Sequence, residues 1–190
     1  MKSIQSKILL VVISGLLVIT AVVSAIAVSM THEIMHKDAD RILENVSEKE
    51  AAYINDTLGD VTKSAAVMEH YATTELHSLE ELRDKEFRQK YVEKAKKMFV
   101  EVAVNTSGIQ GFYMRLNPKY TDGVTGFYNR IARDEKLVEM QLTDLTKYKE
   151  SDTQNVGWYY TAVREGKGVW MDPYVFPGQE GELISYVLPM

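Results

Sequence analysis

Five residues near the N-terminus raise the first chemical question. His32-Glu33-Ile34-Met35-His36 has the form H-E-x-x-H. On a helix its two imidazoles lie one turn apart on one face, where they can chelate zinc with Glu33 as general base. A catalytic zinc also wants a third protein ligand. His70 and His77 would lie on the order of tens of ångströms further along if the same helix runs straight. The motif begins two residues past a long apolar run, with no sign of a substrate cleft around it, so a zinc metalloprotease stands as a remote alternative. Other catalytic seats are missing from the text of the chain. It has no cysteine, no G-x-S-x-G elbow, no Walker A loop and no G-x-G-x-x-G. Neither a catalytic residue nor a cofactor is implied.

A second group of residues suits binding rather than catalysis. Phe112, Tyr113, Phe127, Tyr128, Trp158, Tyr159, Tyr160, Trp170, Tyr174, Phe176 and Tyr186 crowd into the second half of the chain. Arg115 and Arg130 fall on the same β-prone runs as the first four rings, and Asp172 follows Trp170 closely. Tyr and Trp offer a broad apolar face with a polar tip, which suits the wall of a site for a small polar ligand. A strand-borne Arg adds a planar fork that matches a carboxylate. The bland reading is that most of these rings are core under covering helices.

The elements that must position these residues begin with an anchor. Residues 8–30 carry no charge and are mostly Ile, Leu, Val and Ala, enough at about 1.5 Å per residue to cross a hydrocarbon core of about 30 Å. Lys2 and Lys7 precede the run, which puts residues 1–7 in the cytoplasm and residues 31–190 outside. Ala25-Ile26-Ala27 permits a competing reading as a cleaved signal peptide, although the apolar run exceeds an ordinary signal core. Both readings export the remainder. Without Lys2 and Lys7 the exported part has 20 basic against 27 acidic residues, a balance that argues against nucleic acid. The lack of cysteine suits a bacterial envelope domain.

Residues 31–75 read as one long helix that can continue from the membrane span. Ile54, Leu58, Val61, Ala65, Met68 and Ala72 form an apolar stripe that can face a partner helix or the domain's own sheet. Residues 79–104 read as a second helix, with Leu82, Phe87, Tyr91, Ala95 and Phe99 on its apolar side. Ile109–Leu116 and Gly126–Ala132 read as strands, residues 133–156 as loop with a short helix, and Trp158–Arg164 as a helical turn closed by Gly166-Lys167-Gly168. Val169–Phe176 and Leu183–Leu188 complete the expected strands, joined by residues 177–181. Helices followed by antiparallel strands make an α+β plan. A last strand that stops at Met190 would leave an open sheet edge, so the expectation is a piece of a longer protein.

This order of elements, with Trp158-Tyr159-Tyr160-Thr161-Ala162 and then Trp170-Met171-Asp172-Pro173-Tyr174, resembles the double Cache sensor domain. A W-Y-x-x-A element matches at Trp158, Tyr159 and Ala162, a P-Y element at Pro173 and Tyr174, and Leu183–Pro189 is similar to the strand that follows. The resemblance spans residues 31–190, the front part of such a module. It implies a PAS-like antiparallel sheet in a membrane-distal lobe, residues 76–190, incomplete at the C-terminus and carried on the signalling helix 31–75. It also implies a small-metabolite ligand and a homodimer through the long helix. Such modules serve chemoreceptors, sensor histidine kinases and diguanylate cyclases, whose output domains are not in this chain. The matched wall positions are Trp158, Tyr159, Asp172 and Tyr174, and the strand reading adds Tyr128 and Arg130. The chain departs from the amino-acid-binding subtype. Val156 stands where that subtype has Arg two residues before Trp158, and Val175-Phe176 follow the P-Y pair, so amino-acid specificity is not carried over. The expected function is small-ligand sensing outside the membrane. The alternative is a membrane-anchored structural or assembly protein whose aromatic half is core.

Overall fold

The computed structural model describes residues 4–121, 123–132, 134, 136–175 and 181–190. Its α+β architecture divides into two units, residues 1–54 and 55–190. Helix α1, Ile4–Thr74, contains the apolar segment and continues without a break. No proline and only two glycines fall within it, so nothing interrupts its hydrogen-bond ladder. In the first unit the described side chains are exposed, and Lys37 pairs with Glu33 one turn back at 2.6 Å. The apolar segment near the N-terminus is long and apolar enough to cross a membrane, by length and composition.

In the second unit the end of α1 supplies Met68 and Ala72 to the main core. The stripe expected from the sequence is therefore used in its last turns by the chain's own domain. Helix α2, Lys85–Val104, adds Tyr91, Ala95, Phe99 and Ala103. The Tyr91 hydroxyl donates to the Ala72 carbonyl at 3.0 Å, which fixes α2 against α1. The expected second helix over 79–104 is divided. Leu79–Arg83 is a 3₁₀ turn, and the extended backbone of Asp84 ends it and starts α2. The Asp84 carboxylate accepts from the Phe87 amide at 2.7 Å, satisfying one of the first-turn donors that a helix leaves open.

Strands β1 (Gly111–Arg115), β2 (Gly126–Ile131) and β3 (Leu137–Glu139) form an antiparallel sheet in that order. β3 lies inside the stretch expected to be loop. Its three residues are all exposed, so no apolar alternation marks it. Helix α3, Thr153–Glu165, starts earlier than the expected helical turn. Asp152 caps it by accepting from the Asn155 amide at 3.1 Å, and Gly166 at φ +63° closes it.

The expected strand Val169–Phe176 becomes β4 (Val169–Trp170) and β5 (Tyr174–Val175), separated by Met171-Asp172-Pro173. Pro173 has no N–H to give a ladder. Leu183–Leu188 likewise becomes β6 (Glu182–Leu183) and β7 (Tyr186–Val187). β4 pairs with β7 and β5 with β6, giving two short antiparallel ribbons. Phe176 and most of the expected connection, residues 177–180, lie outside the described residues.

Candidate functional site

The β1–β2 register separates two chemistries. Phe112 lies opposite Asn129 and Met114 opposite Phe127; all four are buried. Phe127 meets Phe99 of α2 edge to face, with centroids 5.3 Å apart, so this side of the sheet is the main core. The intervening residues point to the other side because side chains alternate along a strand. There Gly111 lies opposite Arg130, Tyr113 opposite Tyr128, and Arg115 opposite Gly126. A tyrosine pair therefore stands between two arginines, each of which faces a glycine.

Both glycines belong to that pattern. At Gly111 an added Cβ would lie 3.5 Å from the Tyr128 ring and 3.6 Å from Arg130 Cγ, so those side chains lean over the gap. Gly126 has φ +136°, and a Cβ there would collide with the Met114 carbonyl oxygen. Only glycine adopts this conformation without strain.

Helix α3 lays its aromatic residues on the Tyr113 side. Trp158 meets Tyr113 edge to face at 5.1 Å, and Tyr113 meets Tyr128 in the same manner at 6.1 Å. The Trp158 indole N–H donates to the Asn155 carbonyl at 3.2 Å, which holds the ring on its helix. Tyr159, one position on, joins Leu145 and Val156 in a second small core. Tyr174 reaches the group from β5; its hydroxyl shares a hydrogen bond with Ser185 Oγ at 2.8 Å.

The phenols report how closely these groups are gathered. Burial pushes the Tyr113 hydroxyl well above its ordinary range, and Tyr174 and Tyr128 push it the same way. Tyr128 is raised by burial first and Tyr174 second, while Arg130 pulls it back. Tyr159 is raised by burial and by Tyr160, against a pull from Arg115. These rings are neutral donors at physiological pH.

Five of the six expected site residues are thus gathered around β1 and β2. Tyr128, Trp158 and Tyr174 group about Tyr113, Arg130 lies beside Tyr128, and Tyr159 lies toward Arg115. Asp172 stands apart from this group. It is exposed between β4 and β5 and makes no hydrogen bond or ion pair among the described residues. Trp170 turns to Tyr186 instead, at 5.1 Å. Tyr113, the hub of the cluster, was not singled out by the sequence motifs. Strand alternation from Tyr113 to Arg115 is the signal that finds both.

Arg115 is buried at 7% exposure. Its Nε donates to the Thr143 carbonyl at 3.3 Å, and Nη1 donates to the carbonyls of Thr125 at 2.6 Å and Leu116 at 3.2 Å. Nη2 has no partner. Burial lowers the guanidinium pKa, with Tyr159 and Asp144 acting in the opposite sense. A cleft of about 340 Å³ adjoins this region, lined in part by Val124, Gly126, Leu142, Asp144 and Lys147.

The H-E-x-x-H residues do place two imidazoles together, with His32 and His36 centroids 4.4 Å apart. Among the described residues no group of three His, Cys, Asp or Glu is arranged to hold a metal. The chain matches no protein-family model, no curated protein and no solved structure with which it was compared.

Proposed function

We propose that this chain is the membrane anchor and small-ligand sensing region of a bacterial transmembrane signalling protein, with residues 31–190 outside the membrane. The observation that carries the reading is the Tyr113 face. Aromatic rings with polar tips and two arginines occupy one side of a sheet whose other side already supplies the core. A fold that needed only stability would gain more from apolar residues on both sides, because each buried phenol or guanidinium must be kept hydrogen-bonded. The resemblance to a double Cache lobe, with a PAS-like sheet and a dimer formed through α1, is part of the same proposal. Its support is the W-Y-x-x-A match on α3 and the single helix that contains both the apolar segment and core residues Met68 and Ala72.

Ligand screening of the full chain in lipid nanodiscs tests the proposal. Melting would be followed by circular dichroism across amines, amino acids, acids and sugars. A ligand at a hundred times its Kd stabilises by about 2.7 kcal/mol, enough to be seen as a rise in Tm. In a Trp170→Phe variant Trp158 is the sole tryptophan, so its emission should shift with the same ligand. A membrane-anchored structural protein is the second reading, favoured by the direct Tyr113–Trp158 ring contact. Silence from both readouts across every class would leave that one standing.

A further inference from the structure

Resting on the sensing reading, we propose that Arg115 recognises the ligand's acidic group and that the ligand is a small carboxylate. The guanidinium is charged at any physiological pH. In this protein it is buried, and three neutral carbonyls meet Nε and Nη1 while Nη2 is left open. Carbonyls satisfy hydrogen bonds but do not neutralise charge. No carboxylate among the described residues lies within ion-pair distance of Arg115. The carboxylate whose charge acts on it, Asp144, is already engaged by Thr146 at 2.7 Å and Lys147 at 3.8 Å. A buried cation without a counter-charge is costly, and an incoming anion removes that cost.

The number of open donors selects the anion. With Nε and Nη1 occupied, Arg115 offers the two N–H groups of Nη2, enough for the oxygens of one small carboxylate. A phosphate or sulfate carries more oxygens than these two N–H groups can meet. Arg115 does not itself line the adjoining cleft, but the residues that hold it flank its wall. Thr125 and Thr143, whose carbonyls hold the guanidinium, each lie between residues that line the adjoining cleft. Its volume of about 340 Å³ suits a small ligand. Nη2 is shielded from water, so entry requires the side chains around it to part, with Tyr159 on the aromatic side.

The test uses matched probes on the full chain in nanodiscs at constant ionic strength. Acetate, propionate and benzoate are compared with acetamide, propionamide and benzamide, and separately with phosphate and sulfate. At least one carboxylate should raise Tm and bind at least tenfold more tightly than its amide. Arg115→Met should abolish that preference, and Arg115→Lys, which keeps the charge but lacks Nη2, should weaken it. If Arg115→Met fails to fold, the acid–amide comparison in the unaltered chain still decides. Equal binding of acid and amide, or a preference that survives Arg115→Met, overturns the role of Arg115 but leaves ligand sensing intact. Phosphate or sulfate binding as tightly as the acids overturns the carboxylate assignment. No response to any probe overturns the Arg115 proposal as well. Hits among neutral or cationic metabolites in the broader screen would then keep the sensing reading.

Discussion

The two sides of the β1–β2 pair are built from residues one position apart, yet they follow different rules. On the α2 side Phe112, Met114 and Phe127 pack against Phe99, with Asn129 the lone polar residue. On the α3 side Tyr113, Arg115, Tyr128 and Arg130 keep polar ends, and α3 contributes Trp158 and Tyr159. The first side excludes water and carries most of the burial energy, since a fully buried large apolar side chain stabilises by about 1.5–3 kcal/mol. The second side keeps donors in a shielded place, which stabilises less and specifies more. A sheet can therefore divide stability and recognition between alternate residues of the same strands.

That division is open to direct challenge. Phe127→Ala should produce the largest loss, about 3–5 kcal/mol in chemical denaturation, because the residue is 2% exposed and touches Phe99 and Phe112. Tyr113→Ala should cost less, about 1–3 kcal/mol, since its ring contacts lie on the more polar side. If the order of these two were reversed, the division would be broken. Asn129→Leu should go the other way. Nδ2 of Asn129 is buried without a partner among the described residues, so an apolar residue of similar size should raise stability by about 1 kcal/mol.

Alkaline titration sharpens the contrast. Burial, then Glu75, pushes Tyr91 up to about 12, and burial also raises Tyr113, Tyr128 and Tyr159. The folded state thus holds these protons more tightly than the unfolded chain, whose tyrosines ionise near pH 10. The associated stability is fully present below about pH 10 and falls as pH rises toward 12. Tyrosinate absorbance should therefore appear together with unfolding; ionisation of these rings in a chain that remains folded would contradict the burial. The smallest effect belongs to the exposed pair Lys96–Glu139 at 2.8 Å, which links β3 to α2. Glu139→Gln should change stability by less than about 1 kcal/mol.

Legibility in the sequence followed apolar patterning. The helix through Ala72, most of α2, and strands β1 and β2 were readable because their buried residues recur at the periods of helix and strand. β3 was not, since Leu137, Val138 and Glu139 are all exposed. The start of α3 was hidden because Thr153 and Asn155 are weak helix formers, and the signal that mattered was the cap at Asp152. The breaks between β4 and β5 and between β6 and β7 depend on pairing partners distant in sequence. Among the candidate site residues, strand position points to Tyr128, whereas Trp158 and Tyr174 come from the resemblance to a Cache lobe. Asp172 comes from the same resemblance and from its nearness to Trp170 in sequence, and the turn at Pro173 leaves it in solvent.

Gly126 carries a consequence at the level of the gene. Its backbone at φ +136° and its approach to the Met114 carbonyl admit no other encoded amino acid without strain. All glycine codons share their first two bases. A change in either base at this position replaces glycine opposite Arg115 and disturbs the pairing of β1 with β2, whereas third-base changes are silent. The nucleotide sequence here is free to drift only in its last letter.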